Sequence, residues 1–217
     1  IKGYAVPRND GYYDFYLFGS GKMKDYLDST SPLIVDGYNS RVKNLYLSDG
    51  VTSIGNYAFY NCSSLTSVEI SDSVTSIGVS AFSGCTLLTS VSIGDNVTSL
   101  ENSAFSGCSA LTSVMIPGSV TDIGAYAFED CSSLKYNEYG NAYYLGNESN
   151  PYVALIKAKD ISITSCDIHK DTKVICVIAF RDCSSLESII IPDGVTNIGG
   201  SAFYGCSSLT SIIIPEN

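Results

Sequence analysis

The stretch that decides the fold is Val51–Ser73, VTSIGNYAFYNCSSLTSVEISDS. In its second half, Leu65-Thr-Ser-Val68-Glu-Ile70, the last two apolar residues are two apart, the spacing of one face of a strand. Its first half, Val51-Thr-Ser-Ile54-Gly55, is a second, narrower extended run ended by glycine. Ala58, Phe59, Cys62 and Leu65 between the two runs leave room for a tight or 3₁₀ turn and not for a helix. Working outward, the same string restarts at Val74, Val97, Val120, Thr172 and Val195, which makes six units of 23 residues. Cys62, Cys85, Cys108 and Cys131 fall at that interval, as do Cys183 and Cys206. Most of the eight cysteines therefore mark a repeat and not a disulfide framework. The strand half alone matches twice more, at Val42–Leu47 and Ile163–Ile168, for eight rungs in all. Val120 and Thr172 are 52 residues apart, 29 more than one period, so an insertion lies between them.

One unit buries too little apolar surface to offset the entropy of ordering its backbone, so the units must stack. Stacked strands lie about 4.8 Å apart, which permits a disulfide by distance. Equivalent cysteines in register point the same way, however, and the expectation is a file of buried free thiols. Cys166 stands where Val68 does and Cys176 where Gly55 does, so these two are irregular members.

The period, the L-x-x-[VI]-x-[IV]-P strand and the V-T-x-I-G-x-x-A-F-x-x-C-x-x-L module closely resemble the BspA-like leucine-rich repeat family. Ala58/Phe59, Ala81/Phe82, Ala104/Phe105, Ala127/Phe128, Ala179/Phe180 and Ala202/Phe203 all keep register, and the likeness runs over 42–217. The resemblance implies a mainly β repeat solenoid, curved and right-handed, with a parallel sheet on its concave side and short turns or 3₁₀ segments on the other. It also implies a secreted or cell-surface bacterial protein whose relatives are associated with adhesion to host or neighbouring cells.

Composition narrows the partners. With 12 Lys+Arg against 22 Asp+Glu the net charge is −10 and the pI about 4.4, which argues against nucleic acid. No apolar run approaches the roughly 18 residues of a membrane span, so no membrane insertion is expected in this segment. The chain begins at Ile1 without a signal-peptide pattern and reads as a mature form or an excised fragment, which leaves export open.

Residues 1–41 lack the period and are rich in tyrosine: Tyr4, Tyr12, Tyr13, Tyr16, Tyr26 and Tyr38. They are expected to form an N-terminal cap on the solenoid of residues 42–217, with rings covering the apolar end of the first rung. The insertion, at about 143–159, reads as a projecting β-hairpin: Tyr143–Gly146 and Tyr152–Ile156 flank the turn residues Asn147–Pro151. Its Tyr144 and Tyr152 are candidates for a recognition surface, against the plainer reading that such rings pack the hairpin's own base. The last strand, Ile212-Ile-Ile-Pro215, has no polar cap, so the natural chain continues or this rung self-associates.

Catalytic signals are absent: the single histidine, His169, sits in a turn and reads as solvated, and no nucleophile, zinc or phosphate-loop motif is present. The expectation is a non-enzyme without cofactors or metal. Asp49, Asp72 and Asp95 share one loop position, but the glycine-rich loop of calcium β-rolls is missing. The Thr52, Thr75, Thr98, Thr121 series invites an ice-binding thought that Lys173 interrupts. Most informative are the columns that point away from the core. One is Ser67, Ser90, Ser113, Tyr136, Ser165, Ser188 and Ser211; the other is Glu69, Ser92, Met115, Glu138, Asp167, Ile190 and Ile213. The second, on the concave face, is the candidate binding surface for a host or bacterial surface protein or glycan. The alternative is a structural spacer or stalk that presents another module on the cell surface.

Overall fold

The computed structural model describes residues 1–27, 31, 33 and 36–214. The chain is a mainly β solenoid of about seven turns. It divides into two compact units, Ile1–Met115 with Tyr126–Lys135, and Ile116–Ala125 with Tyr136–Asn217.

In the first unit, β1 (Lys2–Pro7) and β2 (Tyr13–Phe18) form an antiparallel hairpin, and β3 (Gly21–Lys22) follows. Each repeat then supplies one strand of the L-x-x-V-x-I type and one of the V-T-x-I type. The former are β4 (Val42–Leu47), β6 (Ser67–Glu69), β8 (Ser90–Ser92) and β10 (Ser113–Met115). The latter are β5 (Val51–Ile54), β7 (Ser76–Ile77) and β9 (Ser99–Leu100). The first set lies in the order β1-β2-β4-β6-β8-β10 and the second in the order β3-β5-β7-β9, with every repeat-to-repeat pairing parallel and one period apart. Parallel pairing follows from a chain that returns to the same edge after each turn.

The turn between the two strands carries the stack on its other side. Its tight turns place Tyr57, Ser80, Ser103 and Tyr126 in the left-handed region, and Asn61, Gly84, Gly107 and Asp130 likewise, just before each cysteine. Alternating handedness aims every second peptide along the stack. Tyr57, Phe59 and Asn61 N–H donate to the carbonyls of Val79, Ala81 and Ser83, at 2.8–2.9 Å, and Phe82 and Gly84 do the same one turn on. The second left-handed position favours Asn, Asp or Gly. Gly84 has a further reason, because a Cβ there would run into the Asn61 side chain.

Phe59, Phe82, Phe105 and Phe128 fill the interior as a stacked file with centroids 5.1, 5.3 and 5.7 Å apart. The thiols of Cys85, Cys108 and Cys131 donate to the Phe59, Phe82 and Phe105 carbonyls at 3.2–3.3 Å. All eight cysteines are free thiols. Burial pushes Cys62 and Cys131 up to about 12, and Cys166 and Cys183 to about 11. The threonine series is structural too: Thr75 and Thr98 hydroxyls donate to the carbonyls one period back at 3.1 Å. In the aspartate column, the Asp72 carboxylate accepts the Asp95 N–H at 2.7 Å.

The second unit comprises β11 (Asp122–Ile123), β12 (Asn137–Tyr139), β13 (Ala142–Leu145), β14 (Ala154–Ala158), β15 (Ser165–Asp167), β16 (Val174–Ile175), β17 (Ser188–Ile190), β18 (Asn197–Ile198) and β19 (Ser211–Ile213). β15-β17-β19 and β14-β16-β18 are parallel, as the repeat demands. β12 and β13 pair antiparallel, as do β13 and β14. The rung expected at Tyr136–Glu138 is thus drawn into an antiparallel ribbon, which is why about seven turns stand where the column count gives eight. The inserted β13–β14 hairpin does not project. Ala142, Tyr144, Leu145, Ala154 and Leu155 are buried, and β14 lies against β16 as a member of the sheet. Phe180 and Phe203 form the second unit's own stacked pair, 5.3 Å apart. At its last strand Ile212, Ile213 and Ile214 are exposed, while Pro215 lies outside the described residues.

Candidate binding face

The strands β6, β8 and β10 alternate exposed, buried, exposed, so Val68, Val91 and Val114 enter the core while their neighbours line the opposite face. Register places Ser67, Ser90 and Ser113 in one row and Glu69, Ser92 and Met115 in the next. Asp167, Ile190 and Ile213 make the equivalent row on β15, β17 and β19. The column read as one from the sequence is therefore two rows of three.

Glu138 belongs to neither. It pairs across the ribbon with Tyr143, and its carboxylate accepts the Lys159 ammonium at 2.7 Å, with that Nζ 5.9 Å from the centre of the Tyr143 ring. The hairpin candidates fare differently from expectation as well. Tyr144 is wholly buried, so its ring is core and not a contact surface; burial pushes its phenol up, against the His169 N–H that donates to it. Tyr152 is half-buried with its ring 3.9 Å from the His169 imidazole in a stacked arrangement. His169 is itself packed: Tyr139 meets it edge-on at 4.8 Å, and its Nδ1 accepts the Asp171 N–H at 3.2 Å. It is a core-edge residue and not the solvated turn histidine expected.

The row through Glu69 continues through β4 into β2 and β1, where no period is visible. Asn44 pairs with Ser67, so two residues on Tyr46 precedes Glu69 in the same row; Tyr16 pairs with Tyr46, and Tyr4 with Tyr16. The rings of Tyr4, Tyr16 and Tyr46 stack at 5.3 and 4.6 Å with planes 13° apart. Tyr4 and Tyr46 are exposed, and Tyr16 is half-buried between them. Phe15 and Leu17, on alternating positions of β2, point the other way, and Leu17 is buried. Loss of solvent, followed by the neighbouring Tyr46 and Asp14, pushes the Tyr16 phenol up.

Beside the ladder the chain satisfies its charges internally. Arg8 bridges Asp10 and Asp14, Lys43 pairs with Asp10 at 3.2 Å while lying over the Tyr12 ring, and Asn44 donates to Asp14. Against partial desolvation, these hydrogen bonds from Lys43 and Arg8 hold Asp10 down at about 2. On the other side of Tyr46 is a hollow of about 370 Å³ lined by Asn44, Tyr46, Asp49, Ser67, Glu69 and Ser71. Among the described residues no group of three or more His, Cys, Asp or Glu side chains is placed to hold a metal ion, and no helix is long and apolar enough to cross a membrane.

The repeat and its strand geometry agree with a BspA type leucine rich repeat region, which matches in six copies over residues 38–150 and 158–217. The chain belongs to this family. Among solved structures it is similar to a leucine-rich repeat protein from Eubacterium ventriosum, with 27% identity and a TM-score of 0.54 over 97% of this chain and 63% of that one. It is also similar to a leucine rich cell surface protein from Faecalibacterium prausnitzii, at 25% identity and a TM-score of 0.36 over 97% of this chain and 74% of that one. The chain spans less than two-thirds of the Eubacterium ventriosum protein. No curated protein matches. Family membership points to a protein-binding or surface role.

Proposed function

We propose that the chain is a non-enzymatic, extracellular binding module that attaches a bacterial cell to a protein or glycan of a host or neighbouring cell. The observation that carries this reading is the uncovered sheet face of the first unit. Tyr4, Tyr46, Glu69 and Met115 stand exposed along one row, and Val68 and Val114, beside Glu69 and Met115, enter the core from the other face. A face that is neither packed nor uniformly polar is what a docking surface requires. Asp167, Ile190 and Ile213 give the second unit a more apolar counterpart. Exposed Tyr204, Ile213 and Ile214 near the last strand support self-association there as part of the same reading.

The test is capture of partners from host matrix proteins and mucins by the parent and by proteins carrying Glu69→Ala with Met115→Ala, or Ile190→Ser with Ile213→Ser. The expected result is at least a ten-fold loss of captured partner in one of the two pairs, since a few buried anchors dominate an interface. Capture that ignores both pairs, with function scaling only with repeat number, would make the chain a spacer.

A further inference from the structure

Resting on that binding reading, we infer that the hollow walled by Tyr46, Glu69 and Asp49 receives a lysine or arginine side chain of a protein partner. The cation lies over the free face of the Tyr46 ring, and its N–H groups meet the Glu69 carboxylate.

The argument is internal to the molecule. At two other places among the described residues a carboxylate and a tyrosine flank one another with one of the chain's own cations between them. Lys43 joins Asp10 to the Tyr12 ring, its Nζ 3.2 Å from the carboxylate and 5.2 Å from the ring centre. Lys159 joins Glu138 to the Tyr143 ring at 2.7 and 5.9 Å. Glu69 occupies the same position of the repeat as Glu138, and Tyr46 precedes it in the row. Among the described residues no lysine or arginine reaches Glu69, Asp49 or the Tyr46 ring. One face of that ring is covered by Tyr16 at 4.6 Å; the other faces the strand that bears Glu69. Stacking on Tyr16 holds the ring upright, so little side-chain entropy is lost when a cation settles on it.

Charge complementarity selects the occupant. Two carboxylates without an ion-pair partner line one hollow in a chain of net charge −10, and Ser67 and Ser71 are the hydroxyls beside them. An anion would be repelled here. A basic side chain gains the ring's quadrupole and a charge-assisted hydrogen bond together.

The experiment is a two-dimensional amide NMR titration of the whole chain with a capped Gly-Lys-Gly-Lys-Gly peptide, its Nε-acetylated twin, and maltose. The expected result is movement of the Tyr46, Ser67 and Glu69 resonances with the lysine peptide only, weakening as NaCl rises. Glu69→Gln, which alters an exposed side chain and leaves the fold alone, is expected to weaken that binding about five-fold. Tyr46→Leu is expected to weaken it to a similar extent, and Glu187→Gln, an exposed acid just before β17, not at all. Equal shifts with the acetylated peptide, a stronger response to maltose, or indifference to Glu69→Gln would overturn the assignment. If a captured protein binds the Glu69→Gln and Tyr46→Leu proteins as tightly as the parent but loses affinity on substitution at Ile190, the cation site falls and the broader binding reading stands. If every face substitution, those at Glu69 and Tyr46 included, leaves capture unchanged, both readings fall, whatever the lysine peptide does.

Discussion

The two units solve one stacking problem with different resources. In the first, four phenylalanines and three thiol-to-carbonyl bonds repeat without interruption from Phe59 to Cys131. In the second, the phenylalanine file is the Phe180–Phe203 pair, with the Cys206 thiol on the Phe180 carbonyl, and the inserted ribbon adds its own residues to the core. That added core consists of Ala142, Tyr144 and Leu155 against Ile175, Cys166 and Phe180, edged by the Tyr152–His169 stack. Periodicity thus guarantees packing only while neighbours are present on both sides; where it lapses, a larger ring fills the interior that a repeat would have supplied.

The sharpest way to break this comparison is to remove one ring from each file. Phe82 lies between two stacked neighbours and is wholly buried, so Phe82→Ala is expected to cost about 4 kcal/mol in urea unfolding. Phe203, half-buried with one stacked neighbour, is expected to cost about half as much on the same substitution. Equal losses would show that the files are not the source of the difference.

A second contrast is alkaline. A buried thiol whose value is raised in the folded state favours folding while it stays protonated, because the unfolded thiol ionises first. That contribution is fully present below about 9 and declines as pH rises, through about 11 for Cys183 and on to about 12 for Cys62 and Cys131. Urea midpoints measured from pH 8 upward are expected to fall above 9, with no thiolate absorbance in the native protein at 9. Native thiolate at that pH would contradict the burial of the file.

The smaller effects concern backbone. Ile178 holds a left-handed conformation with φ of 59°, where β-branched residues are strained, while the first unit uses Tyr and Ser at the same place. Ile178→Asn is expected to stabilise by about 1 kcal/mol in thermal unfolding. The converse change, Gly84→Ala, is expected to destabilise by at least that much, since its φ is positive and the new Cβ meets Asn61.

How much of this was legible in the sequence follows from what a period can encode. The strand halves, the free thiols and the exposure of Ser67 and Glu69 follow from residue type at a fixed interval. The fate of Glu138 was signalled only in part: Asn137 stands where the other rungs carry Leu, Val, Ile or Cys, and Tyr139 where they carry Leu or Ile, which marks a broken rung, but the return of β13 alongside is what turns it into a ribbon. Tyr144 misleads for a related reason, because an aromatic in a strand-like run says nothing about which face will be covered. The tyrosine ladder was half visible. Aligning Leu45 with Val68 already places Tyr46 in the Glu69 column. Tyr16 and Tyr4 join it through β1 and β2, which carry no repeat to align.

The forward-pointing N–H groups at positions such as 57, 59 and 61 have an evolutionary corollary. The turns at Phe59, Phe82 and Phe180 each offer the same three donors to their successor, which offers the same three acceptors back, like a plug that fits its own socket. Copying one whole 23-residue segment within the gene would lengthen such a protein without disturbing either join, whereas gaining or losing a single residue would misalign both.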